Sequence, residues 1–384
     1  MAIFKDRTKL SPHYIPARML HRDGEQAFMK TVLGGVVETI PNPSPIVIQL
    51  MGDVGSGKTT LSIKSGRWLE AEGVRLRLKI KHVYLNLRGF SGRVTVYRHL
   101  VRSVSEDIYS TSLAAEELLS NLFKHLKTTN TYLLLAFDEV DQYVSQSTGL
   151  IYDFTRLPEL AGGSPTNILA VIFISRTGEF RRTLGRPELS SLGHHILRLE
   201  PYNVSQVYDI LADRAAEAFQ EGAISDEVIE YISEKAAEPP RNGDIRYGLD
   251  LLLYAGNMAE AAGRKYIGLD DVRKVVASLH SIITSDELAR LDDGERLVLM
   301  AVGRALRVSG KAYIGLSEVG RMCRIILEEM GWGRSLDLRK IIQSLESKGI
   351  LNVRRDGEIE LRDIDLQSLE SYLGDGFAGA RGSG

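Results

Sequence analysis

The chain is poor in cysteine and tryptophan, with one cysteine, Cys323, and two tryptophans in 384 residues. A single thiol closes no internal disulfide and builds no zinc site by itself, which fits a reducing compartment. Long apolar runs are also missing. The longest, at 132–137 and 168–174, fall far short of the roughly 18 residues of a bilayer-spanning helix, so no span is expected. The opening Met-Ala-Ile-Phe-Lys-Asp has no apolar core followed by a small-residue cleavage site, and no secretory signal is expected. Net charge is nearly absent, −2 from 48 basic and 50 acidic residues, so any partner must be read from local charge. What the chain does have is apolar material, 43% hydrophobic against 26% charged, enough to bury cores and to exclude wholesale disorder. Its length suits two or three domains.

Between residues 45 and 199, apolar runs at 46–51, 82–87, 132–137, 168–175 and 196–199 alternate with longer amphipathic stretches. Such runs predict the buried strands of a five-stranded parallel sheet, an α/β domain over 1–200. After Glu200 the strand pattern stops. Asn203 with Gln206 has the form of a capping box, and helices are predicted over 204–219, 226–236, 245–262 and 271–280, broken by Gly222, Pro239-Pro240 and Gly263. They make an all-α domain over 201–285. Helices over 295–308, 316–330 and 336–348, then a hairpin of 350–354 and 358–361 about Asp356-Gly357, follow in the order of a winged helix. That domain is assigned to 286–375, with a flexible glycine-rich tail at 376–384.

Gly52-Asp53-Val54-Gly55-Ser56-Gly57-Lys58-Thr59 matches G-x-x-x-x-G-K-[ST] where a strand gives way to an amphipathic helix. Glycines let the backbone N–H groups from Asp53 to Thr60 turn inward around phosphates, and the helix N-terminus adds positive potential. Lys58 is expected on the β and γ phosphates of ATP or on ADP, and the Thr59 hydroxyl on Mg2+. The apolar run from Leu133 to Phe137 ends in Asp138-Glu139. Asp138 is expected to hold Mg2+ through its water shell, and Glu139 to polarise an attacking water. At the next strand tip stands Ser175-Arg176, and in ATPases of this class a polar side chain at such a tip often senses the γ-phosphate. Gly243-Asp244-Ile245-Arg246 puts Arg246 in the first turn of a helix, from which it would tie domain closure to nucleotide state. His194-His195 lacks a third ligand at metal spacing, and Ser175 lacks a readable His or Asp partner.

Positive charge is concentrated near the C-terminus. Eleven basic and five acidic residues lie between Arg304 and Arg355, the footprint sought in a DNA-binding module. Trp332, Arg334, Ser335, Arg339 and Lys340 fall at the turn and N-terminal end of a candidate recognition helix, and Arg354 and Arg355 on the hairpin, where double-stranded DNA would be met.

The P-loop, the Asp138-Glu139-Val140-Asp141 run, Pro201-Tyr202-Asn203, Gly243-Asp244-Ile245-Arg246-Tyr247 and the closing winged helix occur in one order. In that order they resemble the archaeal origin-recognition initiators, AAA+ ATPases related to the eukaryotic origin recognition complex, and the chain reads as a divergent paralogue. The resemblance implies a P-loop AAA+ domain, a helical lid and a C-terminal winged helix. It implies that Ile15, Pro16 and Arg22 lie near the adenine with Tyr202 facing it, and that an insertion carrying Arg88 and Arg93 adds a second DNA contact. By similarity the protein would bind and bend origin DNA and help load the replicative helicase, with slow ATP hydrolysis as a switch. Paralogous initiators would be partners, and the location cytoplasmic and nucleoid-associated. Two positions depart from the family: Ser175-Arg176 stands where Ser-Asn is usual, which could impair hydrolysis, and Arg186 lies one position from the expected finger. Two alternatives stay open: a nucleotide-switched winged-helix transcription regulator, and an AAA+ remodelling ATPase whose winged helix docks on protein.

Overall fold

The computed structural model describes residues 2–144, 149–279, 291–332, 336–354, 356–362, 366 and 369. They fall into two compact bodies, residues 15–206 with 237–246, and residues 2–14 with 207–236 and the described residues from 247 onward.

The first body is a parallel sheet of β1 (Ile46–Met51), β2 (Lys79–Asn86), β3 (Thr131–Asp138), β4 (Ile168–Ser175) and β5 (His195–Arg198) in the order β2-β3-β4-β1-β5. Its helices are α1 (Asp23–Val37), α2 (Lys58–Arg75), α3 (Arg93–Val104), α4 (Ala115–Thr128), and the shorter α5 (Val140–Val144), α6 (Gly149–Thr155), α7 (Leu157–Leu160) and α8 (Arg186–Ser191). Every residue of β3 and of β4 is buried, because helices cover both faces, and this is why these strands read as unbroken apolar runs rather than alternating ones. The strand period of two still divides the side chains. Met51, Leu135, Phe137 and Phe173 pack with α3, α4 and α6, while Leu50, Leu134, Ala136 and Ile172 pack with α1 and α2. A one-residue slip in register would exchange the two sets. Truncating a fully buried ring here, such as Phe137, costs about 3–5 kcal/mol.

Register also sets the upper edge of the sheet. Met51 pairs with Ser175 and Asn86 with Asp138, so the loop after β1 starts beside the tip of β4, and the β3 tip lies two strands from it. In such sheets ligands bind outside the carboxyl ends of the strands.

The second body holds α9 (Val204–Ala218), α10 (Asp226–Ala237), α11 (Ile245–Ala261) and α12 (Leu269–Leu279), whose terminal residues alone reach into the first body. The predicted capping box at its entry forms: Gln206 N–H donates to Asn203 Oδ1 at 2.9 Å, and Asn203 N–H to Gln206 Oε1 at 3.1 Å. Residues 2–14 belong with these helices rather than with the α/β domain. Phe4 sits 4.9 Å from Phe219, and Lys5 N–H donates to the Ala218 carbonyl.

The C-terminal module is α13 (Asp293–Ser309), β6 (Ile314–Gly315), α14 (Leu316–Met330), α15 (Leu338–Ser347), β7 (Leu351–Val353) and β8 (Glu358–Leu361). Its antiparallel sheet runs β6-β8-β7. The sequence reading missed β6, a two-residue strand whose pairing comes entirely from β8. Asp292 and Glu295 form a reciprocal cap at the start of α13, and Gly357, at φ 86°, makes the left-handed turn between β7 and β8. The module packs on α10 and α12. Lys235 Nζ reaches both carboxylate oxygens of Glu360 at 2.8 and 3.0 Å, and Arg273 donates to the carbonyls of Lys311 and Ala312.

Candidate nucleotide site and candidate DNA-facing surface

The loop from Gly52 to Gly57 has the conformation its glycines predict. Gly55 and Gly57 adopt φ of 74° and 94°, which side-chain-bearing residues avoid, and α2 starts at Lys58, at the helix end where the first N–H groups have no acceptor within the helix. A Cβ on Gly55 would lie 2.7 Å from both the Asp244 Cα and the Ile245 nitrogen, so the segment before α11 closes directly over this loop. Val54, Gly55, Lys58, Thr59, Asp138, Glu139, Ser175, Arg176 and Arg246 line one cleft. Residues predicted separately from four stretches of sequence are thereby brought together.

The Lys58 ammonium donates to the carbonyls of its own loop, Gly52 and Asp53, at 2.6 and 2.7 Å. Burial lowers its pKa to about 8, against the attraction of Asp138 and with further lowering from Arg246 and Arg176. The Thr59 hydroxyl donates to Asp138 Oδ2 at 2.6 Å, and Tyr84 donates to the same oxygen at 2.8 Å. Burial and the Asp138 charge push the Tyr84 pKa up, so it remains a donor. A hydroxyl beside a carboxylate is a hard-oxygen pair suited to Mg2+, which takes few protein ligands and keeps waters and phosphate oxygens. Ser175 Oγ is buried with no hydrogen-bond partner and lines the cleft, a spare polar group that a phosphate oxygen would satisfy. The donor set therefore fits a nucleotide with Mg2+.

Glu139 has φ of 58°, a left-handed conformation uncommon outside glycine and frequent at functional sites. Its N–H is taken by Asp138 Oδ1 at 2.8 Å. Asp141, the last acid of the run, accepts the Arg176 N–H at 2.6 Å, and burial raises its pKa. Neither Tyr84 nor Asp141 was assigned a role from sequence. The signal for Asp141 was its place in the acidic run; for Tyr84 there was none beyond its place near a strand end.

The expected adenine residues separate into two places. Ile15 and Pro16 line a recess of about 360 Å3 with Lys30, Lys64, Arg67 and Trp68. Arg22, only 5% exposed, stacks 4.0 Å from the Tyr202 ring, donates to the Tyr202 hydroxyl at 3.0 Å and to the Ser56 carbonyl at 3.2 Å. Arg22 thus ties the loop to Tyr202. Asp53 and Arg186 are exposed, and Thr60 is half-buried on the first turn of α2.

The expected DNA contacts are rearranged more strongly. Arg339 and Lys340 stand exposed in the first turn of α15, after the Asp337 cap. Arg334, Ser335 and Arg355 lie outside the described residues. Trp332 is half-buried and packs on the core of its module, because a ring one residue past the αL cap Gly331 folds back on the helix it ends. Arg354 turns inward to Glu234 of α10. In the insertion, Arg88 is exposed, whereas Arg93 is committed to Asp153 at 3.2 Å and Glu116 at 2.7 Å. Local charge counts cannot anticipate which cations find carboxylates from distant parts of the chain.

The AAA domain family matches residues 45–184, and the family described as Cdc6 AAA+ ATPase-type lid domain matches residues 208–277. The chain is 28% identical over 385 residues to ORC1-type DNA replication protein 1 of Sulfolobus acidocaldarius, covering 96% of this chain and 93% of that one. It resembles the crystal structure of Cdc6p from Pyrobaculum aerophilum with a TM-score of 0.82 and 26% identity, over 97% and 98% of the two chains. It also resembles the Aeropyrum pernix ORC1 protein in complex with DNA, with a TM-score of 0.64 and 26% identity over 99% and 98%. The chain thus carries an AAA domain followed by a Cdc6 AAA+ ATPase-type lid domain, and it is similar to ORC1-type DNA replication proteins of archaea through nearly their full length.

Proposed function

We propose that this protein is a replication initiator that binds ATP or ADP with Mg2+ and recognises double-stranded DNA at replication origins. The observation that carries the nucleotide half is the convergence of Lys58, Thr59, Asp138, Glu139, Arg176 and Arg246 on one cleft. Lys58 would neutralise the β and γ phosphates, and the N–H groups from Asp53 to Thr60 would cradle them. Thr59 and Asp138 would hold Mg2+, which when bound supplies neutralisation of phosphate charge. Glu139 would orient and polarise a water, and Arg246 would report the nucleotide to the helix it starts. Slow hydrolysis as a switch fits a cation in the sensor position.

For DNA, the exposed Arg339 and Lys340 at the start of α15 are the groups best placed to meet a duplex, with Arg88 a candidate in the first body. The Aeropyrum pernix relative, solved in complex with DNA, supports this reading. Bending of the duplex and a part in loading the helicase belong to the same proposal. A titration of the full chain into an origin duplex and a scrambled duplex at several salt concentrations tests it. A preference of about a thousandfold or more, with a steep salt slope, supports origin recognition; equal, weak binding to both rejects it. Circular-permutation gel shifts without a bend would reject the bending.

One observation favours a second reading, a remodelling ATPase whose C-terminal module docks on protein. Part of the positive charge of that module is spent internally, Arg304 on Glu329, Lys348 on Glu295 and Arg354 on Glu234. High ATP turnover insensitive to DNA would select it.

A further inference from the structure

Asp138 is 6% exposed, and three donors hold its carboxylate. Oδ1 accepts the Glu139 N–H at 2.8 Å, while Oδ2 accepts both the Thr59 hydroxyl at 2.6 Å and the Tyr84 hydroxyl at 2.8 Å. The three do not have equal standing. Thr59 lines the cleft, and with its proton given to Asp138 its lone pairs are the ones a metal ion would use. Tyr84 and the Glu139 N–H, one on each carboxylate oxygen, are the donors that a metal would not claim.

Sheet geometry explains how a tyrosine comes to hold this oxygen. Tyr84 pairs with Ala136 and Asn86 with Asp138, so Tyr84 stands one pleat before Asp138 on the neighbouring strand and shares its face of the sheet. That face is covered by α1 and α2, and the Tyr84 ring packs there on the core that contains Leu61, Leu134 and Ala136. From this position a phenol spans the roughly 7 Å of one pleat and delivers its hydroxyl to Oδ2. A phenylalanine would fill the same space and deliver no donor.

We propose that Tyr84 is a positioning residue for the metal-binding carboxylate: its hydroxyl holds Asp138 turned so that the carboxylate and the Thr59 oxygen face one Mg2+. The inference rests on the nucleotide reading above and adds to it a residue that touches neither nucleotide nor metal. Outer partners of this kind orient metal ligands, and their loss weakens metal binding by about 10- to 100-fold. An opposite effect competes with orientation. A donor also favours the charge on the carboxylate by spreading it, so its removal would leave Asp138 a stronger electrostatic partner for a cation. The sign of the change in metal affinity separates the two.

The test is calorimetric binding of a non-hydrolysable ATP analogue to the full chain, with Mg2+ and with a chelator in its place, so that no turnover enters the readout. Y84F should cut the gain in affinity that Mg2+ brings by about tenfold and change the metal-free affinity by about twofold or less. Y84L, which removes the ring as well, should lose no more of the metal gain than Y84F, whatever it loses in thermal stability. An unchanged or larger metal gain in Y84F overturns the proposal. So does a loss confined to Y84L, which would assign the effect to packing of the ring. If the natural protein binds the analogue equally with and without Mg2+, the reading of Thr59 and Asp138 as metal ligands falls. Metal dependence that survives intact in Y84F sinks this inference alone.

Discussion

Arg354 donates through both of its terminal nitrogens to the two carboxylate oxygens of Glu234, each at 2.9 Å, with its guanidinium 4.1 Å from the Tyr313 ring centroid. The Tyr313 hydroxyl donates to the same carboxylate. A residue that local charge assigns to DNA is therefore part of the joint between α10 and the C-terminal module. Its pKa is raised, chiefly by the bonds to Glu234, in keeping with a bidentate pair rather than a free surface cation.

Glu234→Ala should therefore lower stability by about 1–2 kcal/mol, since it leaves two half-buried donors without an acceptor. Urea unfolding measures this directly. Arg354→Ala should cost a similar amount and leave the salt dependence of duplex binding unchanged. A drop of about one in the salt slope would mean that Arg354 leaves Glu234 for a phosphate.

Arg339 and Lys340 should behave in the opposite way. Both are exposed, so replacing either by Ala is expected to shift stability by less than about 0.5 kcal/mol. For Arg339→Ala the expected result is weaker duplex binding with the salt slope reduced by about one. Fluorescence anisotropy at four or five salt concentrations reads both quantities, and unaltered affinity would move the interface elsewhere.

Lys58 gives a pH prediction. Burial brings its pKa down to about 8 in the folded chain, against about 10.4 for an unfolded lysine. Between those values the unfolded chain binds more protons, so the Lys58 contribution to stability rises with pH across that window. Phosphates favour the charged form, so ADP binding should take up a proton near pH 8.5, and affinity should fall as pH rises past 8. Calorimetry in two buffers of different ionisation enthalpy checks this. Buffer-independent heats at pH 8.5 would contradict it, and Lys58→Ala should abolish both uptake and binding.

Gly55→Ala tests the closure of the loop by the segment that carries Arg246. The new methyl would need a φ of 74° and would overlap the Asp244 and Ile245 backbone at 2.7 Å. A stability loss of about 1–3 kcal/mol is expected, because neither backbone nor loop can yield cheaply. Nucleotide affinity should fall with it. Thermal unfolding and ADP titration of one preparation give both numbers.

Cys323 is 3% exposed, and burial pushes its thiol up to about 11. An aromatic disulfide reagent at pH 8 should find almost no reactive thiol in the native chain and one after denaturation. Fast native reaction would mean that the C-terminal core opens readily.

Much of the architecture is legible in sequence because it depends on short-range pattern. Apolar runs the length of a strand, the glycines of the 52–57 loop, Asn203 with Gln206, and Asp356-Gly357 each specify local geometry through sterics and nearby hydrogen bonds. Four of the five strands were placed to within a residue at either end; β2 begins three residues earlier than read, at Lys79, where lysines alternate with apolar residues. The members of the cleft were legible too, because the loop and the acidic run each carry a strong local signature.

Partner choice was not legible. Which carboxylate meets Arg93 or Arg354, that Trp332 turns into a core, that Arg22 closes on Tyr202, and that residues 2–14 join the helical body all depend on groups far apart in sequence. A guanidinium reads the same in sequence whether it faces water or a carboxylate more than a hundred residues away. The sequence by itself determined the strands, the phosphate loop and the order of the parts, through local conformational preference and hydropathy. Tertiary structure alone decided which charges are free to meet a partner and which are spent holding the fold, because a half-buried cation needs a counter-charge that only long-range packing delivers.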